Sequence, residues 1–329
     1  MRTETTSHNE AAANTLRKVP TLSLASYTKG TSEEKSKFID QLFTGLKEYG
    51  FIILKDHNVK PADLHKAYQL LETFYALPED VKKSYISPNA GFQRGYTPFG
   101  KEHAKDSPVM DLKEFWHVGR VLADGHDLKS VYPENIWPEA HVPEFKNHFV
   151  NLYAALEEAG DVMLEALTMP LEVDKDFFAR MTKDGNSILR LLHYPPIPEG
   201  VDPRCVRAAA HEDINFITIL PAATASGLQL KDRDGTWLDI VSEPDTLIVD
   251  VGDMLARLTN DVLPSTTHRV VNPDDGKNGS RYSMPFFLHP HPQAMLSCLP
   301  SCKGTGAKYT DISSHDFLMQ RLREIGLIK

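Results

Sequence analysis

Leu228-Gln229-Leu230 reads as one short strand, Asp234-Gly235 as a tight turn, and Trp237-Leu238-Asp239-Ile240-Val241 as the returning strand. An Asp-Gly pair between apolar-polar alternations is a strong local hairpin signal. Similar short strands surround this one. Ile188–Tyr194, Phe216–Leu220, Leu247–Val251, His268–Val271 and Arg281–Leu288 follow each other with turn residues between them. No helical pattern separates consecutive strands, so a parallel α/β sheet is not expected. Seven or eight such strands predict a double-sheet jelly roll.

Upstream of residue 186 the period changes. Ser32 to Tyr49 carries Phe38, Leu42, Phe43 and Leu46 at helical spacing, with Ser32 as its N-cap and Gly50 as its stop. Phe51–Leu54 reads as a buried strand. Pro61 opens a second helix, running to about Tyr75, at the position proline favours. Pro143 to about Met169 gives the longest helix. Between them, residues 86–140 read as irregular, rich in Gly, Pro and aromatics, and long enough to serve as a lid. The expected organisation is a flexible polar arm (1–18), a mostly helical region with the lid (19–185), a jelly-roll core (186–300) and a C-terminal helix (301–329). The fold class is therefore mainly β with flanking helices.

Composition bounds the function. The chain has 329 residues, 41% of them hydrophobic, and a formal net charge of −9. An acidic chain without a basic run makes a poor phosphate-backbone binder, so no nucleic-acid partner is expected. No apolar run reaches membrane-spanning length. The first 18 residues lack the apolar stretch of a secretory signal. Three cysteines, Cys205, Cys298 and Cys302, are too few for a disulfide framework. A reducing, cytoplasmic location is the expectation, and the oligomeric state stays open.

The chemistry begins with His211-Glu212-Asp213. Alternate residues of an extended chain point to one side, so His211 and Asp213 can grip one ion. Fourteen histidines among 45 acids give about two such pairs by accident. The other, His8/Glu10, lies in the polar arm. His211-x-Asp213 instead directly precedes a strand, and His268 follows several strands later. Two imidazoles and one carboxylate form the facial triad of non-haem Fe(II) oxygenases. They also suit a zinc-binding barrel with an open position. Arg281 and Ser283 share one face of the next strand, where guanidinium and hydroxyl can grip a carboxylate. His289-Pro290-His291-Pro292 reads as a solvated turn.

Taken in this order, His211-x-Asp213, His268 and Arg281-x-Ser283 resemble the Fe(II)/2-oxoglutarate-dependent dioxygenases, in particular the isopenicillin N synthase-like branch. Val251-Gly252-Asp253-Met254-Leu255, Thr259-Asn260 and His268-Arg269-Val270 resemble core strands of that family. Arg190-Leu191-Leu192-His193-Tyr194-Pro195 resembles its Asn-x-Tyr-Pro segment, with Leu192 in place of the asparagine. Phe51 to His57 resembles an N-terminal segment of the same family. The resemblance implies that His211, Asp213 and His268 ligate Fe(II), and that Arg281, Ser283 and Tyr194 bind 2-oxoglutarate. It further implies O2-dependent decarboxylation of 2-oxoglutarate to succinate and CO2, coupled to hydroxylation, desaturation or cyclisation of a small organic substrate. A 2-oxoglutarate-independent Fe(II) oxidase is the second reading. For the substrate, Arg94, Lys101 and His117 are candidates to pair with an acidic group, and Phe287 and His289, after the Arg-Ser strand, are candidates to face the pocket. Tyr96, Phe115 and Trp116 are candidates for an apolar wall.

Overall fold

The fold is that of a computed structural model, which describes residues 17–87, 93–103, 108–274 and 276–324. The polar arm expected over residues 1–18 lies, up to residue 16, outside them.

A short strand, β1 (Thr21–Ser23), leads through α1 (Leu24–Thr28) into α2 (Ser32–Tyr49), and β2 (Phe51–Lys55) follows. Next come α3 (Pro61–Tyr75), α4 (Glu79–Lys83), β3 (Gly95–Thr97) and β4 (Glu114–Gly119). Then come the long α5 (Phe145–Thr168) and the short α6 (Phe177–Thr182). The strand-rich part holds β5 (Ile188–Tyr194), β6 (Ala208–His211), β7 (Ile217–Pro221), β8 (Leu228–Lys231), β9 (Trp237–Asp239) and β10 (Leu247–Val251). It closes with α7 (Asp253–Leu258), β11 (His268–Val270), β12 (Arg281–Ser283), β13 (Phe286–Leu288) and α8 (Ser314–Glu324).

Two sheets form. The larger runs β1-β2-β10-β7-β13-β5-β4-β3, with β12 also paired to β5; the smaller runs β6-β11-β8-β9. Period-two alternation assigns the faces of the larger sheet. Phe51 and Ile53 of β2, Leu192 and Tyr194 of β5, and Leu220 and Ile248 point inward, where they meet Ala208, Leu228, Leu230 and Val270 of the smaller sheet. Their neighbours Ile52, Leu54, Leu189, Leu191, Ile217, Ile219 and Val249 point outward and join the core made with α2, α3 and α5. Strands buried on both faces explain the near-continuous apolar runs. Each fully buried Leu or Phe in these layers contributes about 1.5–3 kcal/mol of transfer free energy. The result is the double-sheet jelly roll, with helices covering one side.

Local signals explain most element ends, and some expected ends move. Thr31, not Ser32, caps α2: its hydroxyl accepts from the Glu34 N–H, while Glu34 accepts from the Thr31 N–H. Gly50 ends that helix with φ +69°, and a Cβ there would meet Thr266 Oγ1 at 2.2 Å. Ser313, one residue before the expected Ser314, accepts from the Asp316 N–H and caps α8. The strand expected over 281–288 is two strands, broken at Met284-Pro285. Proline has no N–H for the ladder, and only its carbonyl is used there, accepting from Arg190.

Residues 86–140 are less irregular than expected. β3 and β4 extend the larger sheet beyond β5, because Glu114 to Gly119 pair residue by residue with His193 to Ile188. Residues 253–258, within a stretch matched above to strands, form α7. Among the described residues no helix is long and apolar enough to cross a membrane.

Candidate metal centre

His211 ends β6 and His268 begins β11. The two are cross-strand partners in the smaller sheet, so a register closes a gap of 57 residues. Asp213 lies just beyond β6, in the turn toward β7. One ligating atom from each of the three lies within 4.8 Å of the others. His211 Nε2 and His268 Nε2 are each 3.9 Å from Asp213 Oδ1. The imidazole rings are 4.4 Å apart between centroids.

Each ligand is held from behind. His211 Nδ1 donates to the Ala209 carbonyl at 2.7 Å and His268 Nδ1 to the Thr266 carbonyl at 3.2 Å, which turns both Nε2 atoms toward the centre. The Thr218 hydroxyl donates to Asp213 Oδ2. Burial, with His268 adjacent, lowers the His211 pKa to about 4, so the ring stays in its neutral, ligating form. Opposite Thr218 in the ladder stands Asp250, whose pKa is pushed well up by burial and by the Asp213 charge. Two imidazole nitrogens and one carboxylate oxygen suit a divalent transition metal with open positions.

Deeper in the barrel, Arg281 faces Tyr194 and Ser283 faces Leu192 across the β5–β12 ladder. Arg281 is 2% exposed. Its Nε donates to the Ala225 carbonyl at 3.0 Å, while Nη1 is buried without a partner. Burial lowers the guanidinium pKa, yet no carboxylate among the described residues pairs with it. A buried cation with an orphaned donor is costly unless an anion meets it. This pocket therefore fits a carboxylate ligand, and its floor is the Tyr194 ring.

The triad opens onto a cavity of about 370 Å³. His117 and Phe287 line it, as do Glu102, Lys113, Asn186 and Arg190. The other expected substrate residues, His289 aside, do not. Arg94 is fully buried, lying against Gly119, because an inward-facing glycine leaves room for its guanidinium. Tyr96 points to the outer face of the sheet, where its hydroxyl donates to Glu114, and Trp116 joins the helix-covered core on that same face. Phe115 sits in the inter-sheet core under the Arg190 guanidinium, 4.4 Å from ring centroid to Cζ. Lys101 is exposed and outside the cavity lining. His289 lines the cavity as expected, yet not as part of a solvated turn: it is 8% exposed, and burial lowers its pKa to about 4.

Lys113, Asn186 and Arg190 had no motif to mark them as cavity residues. A charged residue inside a strand, between Leu189 and Leu191, is the one signal that applied to Arg190; Lys113, between Leu112 and Glu114 just ahead of β4, had none. A larger groove of about 600 Å³ beside Arg120 and Trp137 runs along α5, away from the triad.

Residues 19–140 match the family model for the non-haem dioxygenase in morphine synthesis N-terminal region, and residues 185–290 match the 2OG-Fe(II) oxygenase superfamily. A 2-oxoglutarate-Fe(II) type oxidoreductase of Emericella nidulans is 30% identical over 312 residues, covering 91% of this chain and 88% of that protein. A Caulobacter crescentus protein assigned to the 2OG-Fe(II) oxygenase family superposes with a TM-score of 0.83 at 43% identity, covering 93% of this chain and 98% of the other. A Neurospora crassa protein crystallised in complex with alpha-KG and thymine gives 0.83 at 28% identity, covering 93% of this chain and 96% of the other.

Proposed function

This chain belongs to the 2OG-Fe(II) oxygenase superfamily and is a 2-oxoglutarate-dependent dioxygenase, and from that premise we propose that His211, Asp213 and His268 ligate its Fe(II). Arg281 and Ser283 then take the distal carboxylate of 2-oxoglutarate, and Tyr194 lines the same pocket. The observation that carries this reading is the pairing of a three-ligand centre with an unpaired, buried guanidinium in one barrel. When bound, Fe(II) and 2-oxoglutarate supply the oxidising chemistry: with O2, the cosubstrate is decarboxylated to succinate and CO2 as a second substrate is oxidised.

The chain's own groups prepare that event. The Ala209 and Thr266 carbonyls fix the imidazole tautomers, and Thr218 orients Asp213, so three ligands are aimed before the ion arrives. Arg281 balances carboxylate charge in a dry pocket, where a charge-assisted fork is strongest. Its planar donors set the distance from which a dicarboxylate can still reach the ion. Phe287, Leu318 and Leu322 give the cavity beside the triad apolar surface, which disfavours water there.

The Neurospora crassa neighbour was crystallised with thymine, and we take a small organic molecule as the substrate class here too. The reading leaves the bond that is oxidised open among hydroxylation, desaturation and cyclisation. Purified protein supplied with Fe(II), O2 and 2-oxoglutarate is expected to release succinate slowly even without a second substrate, and chelation of the iron is expected to stop it. No succinate under those conditions, or succinate release that survives chelation, refutes the reading.

A further inference from the structure

Resting on the metal-centre reading above, we propose that Asp111 is a positioning residue for His211: its carboxylate fixes the edge strand that carries this ligand, and a self-neutral chain of charges fixes the carboxylate. The barrel does not support its three ligands equally. His268 sits on β11, flanked by β6 on one side and β8 on the other, and its side chain is 10% exposed. Asp213 accepts from the Thr218 hydroxyl, and its backbone carbonyl accepts from the Asp253 N–H. His211 ends β6, the last strand of the smaller sheet, and its side chain is 36% exposed. A strand held by one ladder is less constrained than a strand held by two.

Asp111 supplies the missing side. Its Oδ1 accepts from the Ala209 N–H at 3.0 Å, and the neighbouring Leu112 N–H donates to the Val206 carbonyl at 2.9 Å. Residues 111 and 112 thus cover the edge of β6 much as a further strand would. Ala209 is the pivot. Its N–H goes to Asp111, and its carbonyl accepts from His211 Nδ1 at 2.7 Å. A shift of Asp111 therefore shifts the carbonyl that aims the imidazole.

Asp111 is itself clamped. It is 3% exposed, and its Oδ2 accepts from Lys113 Nζ at 2.8 Å. Lys113 also reaches Glu102 at 2.8 Å, and Glu102 reaches Arg190 at 3.1 Å. The Asp111 N–H donates to the Glu102 carbonyl at 3.1 Å, which ties the two acids together through the backbone. Acid and base alternate along this chain, so its formal charges cancel. Burial works against the Lys113 charge, but Glu102 and Asp111 outweigh it and hold its pKa above the usual value. A buried array of this kind is a weak source of stability, because apolar side chains of equal volume often do as well or better. An apolar group cannot, however, accept from the Ala209 N–H. The array is placed to aim a ligand.

Titration of the metal-free protein with Co(II), followed by its visible d–d absorption, tests this without turnover. Asp111→Ala is expected to weaken Co(II) binding about 10- to 100-fold, the range for removing the outer support of a metal ligand, and to shift the absorption band. Asp111→Asn keeps an amide oxygen for the Ala209 N–H and is expected to bind Co(II) more tightly than Asp111→Ala. The double variant Asp111→Ala/Lys113→Met removes one charge of each sign and keeps the Glu102–Arg190 pair. It is expected to lose Co(II) affinity to the same extent, and it carries the test if Asp111→Ala does not fold. Urea unfolding of the same proteins separates aim from stability. Parent-like Co(II) affinity and spectrum in the alanine variants, whatever their urea midpoints, overturns the proposal, as does Asp111→Asn binding no more tightly than Asp111→Ala. A parent that binds no Co(II) fails the metal-centre reading itself, whereas a parent and variants that bind equally well fail this proposal alone.

Discussion

Arg281 stands directly opposite Tyr194 across two antiparallel strands, with its guanidinium carbon 5.1 Å from the centroid of the phenol ring. The ring occupies one face of the cation and the Ala225 carbonyl takes Nε, so the remaining donors point into the barrel. Arg281→Leu removes them at modest cost in volume. The 2-oxoglutarate concentration for half-maximal succinate release is expected to rise about 10- to 100-fold, the loss of a charged hydrogen-bonded pair. Arg281→Lys keeps the charge but not the fork and is expected to fall between the two. An unchanged requirement in Arg281→Leu would move the carboxylate grip elsewhere.

His268→Ala tests the metal centre. The ring packs edge-on against Phe51, 5.6 Å between centroids, and is otherwise committed to the centre. Removing one of three ligands is expected to abolish stoichiometric Fe(II) binding, measured by metal analysis after desalting. The far-ultraviolet circular dichroism spectrum is expected to stay that of the parent. Full iron occupancy in the variant contradicts the assignment.

Much of this was legible locally, and the remainder was not, for physical reasons. β5 and α3 were readable because a short, nearly continuous apolar run spans Ile188–Tyr194 and helical spacing runs through Pro61–Tyr75. β6 was not readable, since Ala208-Ala209-Ala210 has neither branched side chains nor alternation. It is a strand only because it pairs with β11. His211 and Asp213 stood out by their spacing just ahead of a strand, and His268 as the next histidine several strands later, but nothing local predicts a register between residues 57 apart, so their assignment as ligands came from the family resemblance. Arg94 and Tyr96 misled because aromatic and basic residues near a lid serve a core equally well. Asn186 carried no signal: its meaning comes from the cavity around it.

Gly185 precedes Asn186 for a steric reason. A Cβ there would lie 2.0 Å from the His289 carbonyl oxygen and 2.9 Å from that of Thr182, both backbone atoms that cannot swing aside. Gly185→Ala is expected to cost about 1–3 kcal/mol in urea unfolding, the range for overpacking. A variant as stable as the parent would show that β5 can shift outward at this end.

Glu114 sets a pH dependence. Burial alone would raise its pKa, but hydrogen bonds from His193, Lys82 and Tyr96 outweigh it and hold the carboxyl below its ordinary value. A depressed acid contributes stability above its unfolded pKa of 4.5 and loses that contribution as pH falls through the folded value. Glu114→Gln strips Lys82, whose side chain is 11% exposed, of its counter-charge. The loss at pH 7 is expected to be about 3–5 kcal/mol. As pH falls through the folded value the parent becomes protonated as well, and the gap between the two proteins is expected to narrow. A gap of constant size across that range would mean that packing, not charge, is what the substitution removes.

Arg321 ties the C-terminal helix to the metal centre. Its Nη2 meets Asp253 Oδ2 at 2.9 Å, and the backbone N–H of the same aspartate donates to the Asp213 carbonyl at 2.7 Å. On the same helix, Leu318 and Leu322 line the cavity and Phe317 enters the core. The helix is therefore held by apolar burial on one side and by the charged Arg321–Asp253 latch on the side nearest the triad. Arg321→Ala cuts the latch without touching the apolar contacts. Loss of one charged hydrogen bond is worth about 1.5–3 kcal/mol, which corresponds to amide exchange about 10- to 100-fold faster across residues 314–324. Exchange elsewhere in the barrel is expected to stay at the parent's rate, because β6 and β11 are joined by their own ladder. Unchanged exchange in α8 would mean that Phe317 and Leu322 alone seat the helix, and the latch would then serve only to hold Asp253 in place behind the metal ligand.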